Sequence, residues 1–343
     1  MVLLACRICC EYETESHSHD LHGCGLVDRG KGARQRGTGM TNRLRTQVLL
    51  ALSFALLFPG IVEAQGILLL AHGGRGEWNA EVLQVASNVD SDHPVEVAFG
   101  MANKRTIERA VARLVERGVN EIVAVPLFIS SHSSVMRATE FLLGHRDDAP
   151  PQMEAFGRMA AGMMAAGSGS AGSGSDGGFD WTTPIEKPLP ISLATALDDH
   201  ALVAEILLSR ASDVSERPGE EVLVLVAHGP GSDEDNRLWL ENMRSLVERM
   251  RPQTRFSRIE YLTVRDDASE EIQDQATTEL RAVVEAGVRE GKSVLIVPLL
   301  LSYGGIEVGI RERLEGLSYR MANQALLPDK RLSEWVLMQV DER

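Results

Sequence analysis

No cysteine occurs after Cys24; the four in the chain are Cys6, Cys9, Cys10 and Cys24. Everything beyond residue 24 is therefore without a disulfide framework or a thiolate metal site. Positive charge is also in short supply: 35 Lys and Arg stand against 49 Asp and Glu, a formal net charge of -14. So acidic a chain repels a phosphate backbone, which argues against nucleic acid as a partner. A polycarboxylate ligand would need local Arg or Lys. No Gly-x-Ser-x-Gly elbow is present, so a serine-hydrolase reading has little support. What is present suits a packed soluble core: 343 residues, 44% apolar and 24% charged, enough for two domains of ordinary size.

The first 64 residues read as separate from the fold. From Met40 the chain has a basic start (Arg43, Arg45), an apolar run over residues 47–58, then Pro59, Gly60 and a small-residue site at Val62-Glu63-Ala64. That is the layout of a secretory signal peptide over 40–64, cleaved after Ala64. It predicts export, to the periplasm, and no stable membrane insertion after cleavage; without a working signal the protein stays cytoplasmic. The run is too short for a comfortable membrane span, although an uncleaved anchor is the other reading. Residues 1–39 then form a non-structural extension, and translation starting at Met40 would explain them. Cys6, Cys9, Cys10, His17, His19, His22 and Cys24 are soft-metal ligands at short spacing, with little apolar sequence to hold them in place.

From Gly66 the pattern becomes regular. Residues 66–71 (GILLLA) are a short continuous apolar run, as in a strand buried on both faces of a parallel sheet. Helical spacing over 78–88, a strand over 95–99, an amphipathic helix over 105–117 closed by Gly118, a strand over 121–129 and a helix over 135–143 follow. Residues 149–180, with their GSGSAGSGSDGG tract, read as a flexible insertion. A fourth strand is expected over 190–197, then a helix over 200–210 capped by Asp199.

The order then starts again. VLVLVAHGPGSDEDN matches ILLLAHGGRGEWN, and SVLIVPLLL matches EIVAVPLFI. Helices over 244–250, 270–289, 306–314 and 332–340 alternate with strands over 256–264, 293–301 and, weakly, 324–327. This internal repeat of strand–helix units predicts an α/β fold of two similar lobes, 65–213 and 220–343, each a roughly four-stranded parallel sheet flanked by helices.

Ligands in such folds bind beyond the carboxyl ends of the strands. His72 follows the first strand directly and His132 the third, in Ile-Ser-Ser-His-Ser-Ser, so both imidazoles can face one cleft. Imidazole is a ligand for Co, Fe(II), Ni and Zn alike, and geometry selects among them. Two imidazoles with coordination positions left open suit an ion that is bound and handed on. Gly73 and Gly74 let the backbone approach a flat molecule closely. Ser131 and Ser133 either donate hydrogen bonds to its carboxylates or only solvate a loop. A lone His after a strand is often a turn residue; its pairing with His132, and the second His-Gly at His228, favour a site. His93 reads as a turn residue and His145 as a charge at a helix C-terminus. His200, at a helix start on the same edge, is a weaker candidate.

LLLAHGGRG, VAVPLFISSHSSV and ATALDDHALVAEIL resemble the class II chelatases, the sirohydrochlorin cobaltochelatase and ferrochelatase family, in its tandem two-lobed form. The resemblance covers both halves and is strongest over 66–146. It implies insertion of a divalent metal, Co2+ or Fe2+ with Ni2+ or Zn2+ as alternatives, into a sirohydrochlorin-like tetrapyrrole; two fused repeats could form one cleft without a partner, so a monomer and a homodimer are both open. The family's two metal-binding histidines fall on His72 and His132, which would hold the ion and accept pyrrole protons; a neutral imidazole is a suitable base for this. Binding energy from the ring's periphery would distort it toward the metal.

Three features depart from that pattern. Where relatives carry an acidic residue after the second strand, this chain has Met101 and Asn103. Tyr303-Gly304-Gly305 stands where a second histidine of the later half would be, which makes that half a substrate clamp without its own metal site. The third is the signal segment, unusual for tetrapyrrole synthesis. The alternative function is therefore an exported carrier of metal or metallo-tetrapyrrole, with the same histidines binding but not catalysing. A phosphate-ester hydrolase would need Arg before the His, and Ala71 is there.

Overall fold

The computed structural model describes residues 64–74, 76–159, 180 and 182–343. All of them fall in one compact unit, Val62–Arg343. The Cys/His cluster, the signal segment up to residue 63, Arg75 and the Gly/Ser tract lie outside the described residues.

Two four-stranded parallel sheets form the frame. In the first half the chain runs β1 (Gln65–Ala71), α1 (Gly76–Val89), β2 (Val95–Phe99), α2 (Lys104–Glu116), β3 (Glu121–Pro126), α3 (Ser134–Leu142), β4 (Ile191–Leu193) and α4 (Ala201–Val214). In the second it runs β5 (Glu221–Ala227), α5 (Asp233–Met250), β6 (Arg258–Thr263), α6 (Glu270–Arg289), β7 (Ser293–Leu299), α7 (Ile306–Arg313), β8 (Arg320–Met321) and α8 (Arg331–Asp341). The strand orders are the same, β2-β1-β3-β4 and β6-β5-β7-β8, and every pairing is parallel.

The continuous apolar strands are explained by burial on both faces. Alternate side chains of β1 go to different cores: Ile67, Leu69 and Ala71 point inward, Leu68 and Leu70 outward against Ile107 and Leu114 of α2. In β5, Leu223, Leu225 and Ala227 join the same inner core, while Val222, Val224 and Val226 pack outward with Leu280 and Val284 of α6. The two sheets thus share one inner core.

The last helix of each half crosses to the other. α4 packs on α5 and β7 of the second half, and α8 packs on α1 and β3 of the first. Val203, Ile206 and Leu207 of α4, and Leu332, Trp335 and Val336 of α8, lie in the shared core. Arg210 of α4 is buried and donates to the carbonyls of Ala325 (2.7 Å) and Pro328 (2.9 Å), and Asn88 of α1 donates to Ser333 of α8 at 3.1 Å. The boundary expected near residue 213 therefore separates two sequence halves that do not close their cores separately.

Several sequence expectations need correction. Residues 153–159 are helical, and Met153 and Phe156 are buried in the outer core of the first half, so this part of the expected flexible insertion is ordered. The fourth strand is shorter than 190–197, and the final strand is Arg320–Met321 rather than 324–327. In both places the apolar stretch runs on as buried irregular chain beside its neighbour, with hydrogen bonds such as Leu197 N to Phe128 O (3.0 Å) and Leu326 N to Leu300 O (3.0 Å). Those bonds satisfy the backbone without strand geometry. The cap of α4 is His200, whose Nδ1 accepts from Leu202 N at 3.2 Å, and not Asp199.

Candidate metal-insertion site

His72 leaves β1 at its carboxyl end. Ala71 is the last strand residue, and its carbonyl accepts from Gly100 N at 2.9 Å. Gly73 then takes φ +81, a left-handed conformation that turns the chain away from the sheet. Asn79 of α1 closes the turn by accepting from Gly74 N at 2.8 Å. His72 itself is exposed, with Nδ1 2.9 Å from the Gly73 carbonyl. A carbonyl only accepts, so in the neutral ring Nδ1 carries the hydrogen and Nε2 presents its lone pair outward.

His132 follows β3, the strand beside β1, on the same sheet edge. Its loop is held tightly. Ser130 is buried and its hydroxyl oxygen accepts from His132 N at 3.1 Å. Asp198, beyond β4, sits at φ +44 and grips the neighbouring residue twice: Oδ1 accepts from Ser131 N at 2.7 Å and Oδ2 from the Ser131 hydroxyl at 2.6 Å. The same hydroxyl oxygen accepts from Ala196 N at 2.9 Å. Ser131 is therefore committed to the loop, and the expectation that it donates to a substrate carboxylate is corrected. Ser133 caps α3, its oxygen accepting from Met136 N at 3.1 Å, which leaves its proton free.

The second half completes this loop. Trp239 of α5 donates its indole N–H to the His132 carbonyl at 2.7 Å. Asn242, one turn on, donates to Asp198 Oδ1 at 3.0 Å. Asp235 on the same helix receives both terminal nitrogens of Arg137 at 2.8 Å. That pair holds the Asp235 carboxyl below its ordinary range, with further help from a hydrogen bond with Ser232. None of these partners was singled out from the sequence. The contact is mirrored on the other side, where the Ser302 hydroxyl donates to Glu81 of α1.

The later half has a different edge. His228 follows β5, with Nδ1 3.8 Å from Asp267 Oδ2. Its loop is tied by buried Arg265, which donates to Pro230 O (2.8 Å), Gly231 O (3.0 Å) and Asp233 (2.9 Å). Aligned on Val-Pro-Leu, Gly304 occupies the place of His132, and a Cβ there would lie 3.3 Å from Trp78. Tyr303 is turned inward, donating to Ala322 O at 2.7 Å, and burial pushes its phenol up to about 12. Glu307 accepts from Gly304 N and Gly305 N.

The other histidines separate from the pair. His200 is spent as a helix cap. Asn103, in the segment after β2, caps α2 by accepting from Thr106 N at 3.3 Å. Among the described residues, no three His, Cys, Asp or Glu side chains gather into a metal cluster. Two surface grooves run beside edge strands β6 and β2, and neither is lined by His72 or His132. The chemistry-bearing groups, not these concavities, mark the candidate site.

A CbiX family model matches residues 66–214. Residues 66–214 are thus similar to the CbiX family. The match contains His72, His132, Asp198 and the crossing helix α4. Two similar curated proteins are both named sirohydrochlorin cobaltochelatase. That of Methanothermobacter thermautotrophicus is 32% identical over 68 residues, 19% of this chain and 48% of the relative. That of Methanosarcina acetivorans is 35% identical over 75 residues, 21% of this chain and 58% of the relative. The chain thus spans about half the length of the curated relatives it matches. Among solved structures, SirB from Bacillus subtilis with Fe3+ aligns at TM-score 0.53 and 16% identity, over 81% of this chain and 94% of that one. The likeness extends the chelatase-like fold across both halves beyond the CbiX segment.

Proposed function

We propose that the protein is a metal chelatase that inserts a divalent ion, Co2+ or Fe2+, into a sirohydrochlorin-like tetrapyrrole. The observation that carries this reading is the pair His72 and His132, at the carboxyl ends of the adjacent strands β1 and β3, within the segment similar to the CbiX family. The names of the curated relatives support cobalt and sirohydrochlorin, and the solved neighbour carries iron.

Both metal and macrocycle are substrates. The two imidazoles replace part of the ion's water shell and leave its other positions for the ring nitrogens. As metal–nitrogen bonds form, two pyrrole N–H protons leave, and the imidazoles released by the ion accept them before passing them to water. Gly73 keeps the β1 turn low so that a flat ring can approach. The product is the metallated ring plus two protons. The later half, with Gly304 in place of a second histidine, serves as a clamp, and the two halves are copies of one unit. The protein acts after export to the periplasm, as a monomer or homodimer.

A second reading keeps the binding and drops the turnover: an exported carrier of metal or metallo-tetrapyrrole. It is favoured by Met101 and Asn103 standing where the family carries an acidic residue, Asn103 being spent as a helix cap. An anaerobic absorbance time course separates the two. The protein is mixed with excess sirohydrochlorin and Co2+, then Fe2+ or Ni2+, beside a His72→Ala/His132→Ala variant and a protein-free blank. Conversion beyond one product per protein, lost in the variant, establishes the chelatase. Saturation at one equivalent with ligand retained establishes the carrier, and no change beyond the blank removes the substrate assignment.

A further inference from the structure

We infer that Trp239 and Asp198 are positioning residues for His132, so that metal capture by the first half depends on a hydrogen bond supplied by the second. The inference rests on the reading of His132 as a metal ligand. It goes beyond it by making the later half part of the metal site.

The geometry is specific to this loop. The His132 peptide is fixed at both ends: its N–H by buried Ser130, its carbonyl by the Trp239 indole at 2.7 Å. The residue before it is clamped by Asp198 through backbone and side chain, and Asp198 is itself held by Asn242 from the same helix as Trp239. One face of α5 therefore reaches the Ser131–His132 segment twice, directly and through Asp198. Asp198 adopts φ +44, which a non-glycine residue takes up only when its surroundings enforce it. The ligand-bearing loop is built as a rigid element although it lies at the surface edge of a sheet. Rigidity of this kind lowers the ordering cost that a two-ligand site would otherwise meet when an ion binds.

The later half shows what happens where no ligand needs holding. Gly304, the counterpart of His132, has no side chain to aim; the Trp78 ring lies against it, and Glu307 satisfies its N–H. The tryptophan on each side thus packs against the opposite loop, but only Trp239 is given a carbonyl next to an imidazole.

The test is a double-mutant cycle read by Co2+ titration of the full-length protein, following the visible absorption of bound Co2+. Trp239→Phe keeps the ring and removes the donor. Co2+ affinity is expected to fall roughly 10- to 100-fold, the usual effect of losing an outer partner of a metal ligand. In a His132→Ala background the same change is expected to have no further effect. Asp198→Asn tolerates the left-handed backbone and is expected to behave in the same way, which guards against a folding defect in the tryptophan variant. Unchanged affinity in both variants overturns the inference and leaves His132 a ligand. An equal loss with and without His132 shows a general structural effect and also overturns it. If His132→Ala alone leaves Co2+ binding intact, the metal-site reading falls first and the inference falls with it.

Discussion

Arg137 and Asp235 meet across the two halves in a two-pronged ion pair, Nη1 to Oδ1 and Nη2 to Oδ2, both at 2.8 Å. Asp235 is buried, and Arg137 lowers its pKa from the ordinary 3.8. A carboxyl lowered in the folded state contributes stability above its unfolded value, and that contribution is lost as pH falls through the folded value. Asp235→Asn is therefore expected to cost roughly 1–3 kcal/mol at neutral pH. The gap to wild type should stay level down to about pH 4 and close below it. Urea midpoints measured across pH check this; a gap that widens on acidification would contradict the pair's assigned role.

His72 and His132 follow the adjacent strands β1 and β3, whereas the strands beside β5 are followed by no histidine among the described residues. His72→Ala and His132→Ala are each expected to reduce metal binding to the weak residue that a single imidazole can hold, with circular dichroism unchanged, and His228→Ala to have a smaller effect. Should His228→Ala prove the most damaging in a Co2+ titration, the roles of the two halves are reversed.

The sheets were legible in the sequence because both faces of each central strand are buried, so Ile67–Leu70 and Val222–Val226 read as unbroken apolar runs. The two imidazoles were legible because each follows a strand in a short, punctuated loop. What holds His132 was not. Trp239 lies 107 residues away and Asp198 lies 67 residues from Ser131, so no local spacing links them to the loop. The exchange of α4 and α8 was hidden for a similar reason: an amphipathic helix announces an apolar face but not which sheet covers it. Residues 324–327 misled because buried chain needs apolar side chains whether or not it forms a strand.

Gly73 and Gly229 lie two residues beyond β1 and β5 with φ +81 and +74, but their surroundings differ. A Cβ on Gly229 would lie 2.5 Å from Thr263 Cβ, whereas one on Gly73 would meet Phe99 Cβ at 3.4 Å. Gly229→Ala is expected to destabilise the protein by more than the roughly 1 kcal/mol of left-handed strain alone. Gly73→Ala is expected to cost about that strain and to act chiefly on ring binding. Thermal unfolding paired with sirohydrochlorin titration distinguishes them, and equal losses of stability would show that the two turns relax alike.

Trp335 lies at the far end of the chain, yet it is fully buried in the core shared with β1 and β3, with its indole N–H unpartnered. The helix that carries it packs on α1 and β3 of the first half. Trp335→Ala is expected to cost roughly 3–5 kcal/mol, the usual range for emptying a core tryptophan site. Trp335→Phe should cost much less, because the lost N–H makes no hydrogen bond. Residues 64–214 expressed alone leave the α8-facing side of β3 bare and detach α4 from its sheet, so this piece is expected to unfold or self-associate. Sedimentation and chemical denaturation of the fragment decide the point. A stable monomeric fragment, or a Trp335→Ala variant as stable as wild type, would mean that each half closes its own core and that the helix exchange is dispensable.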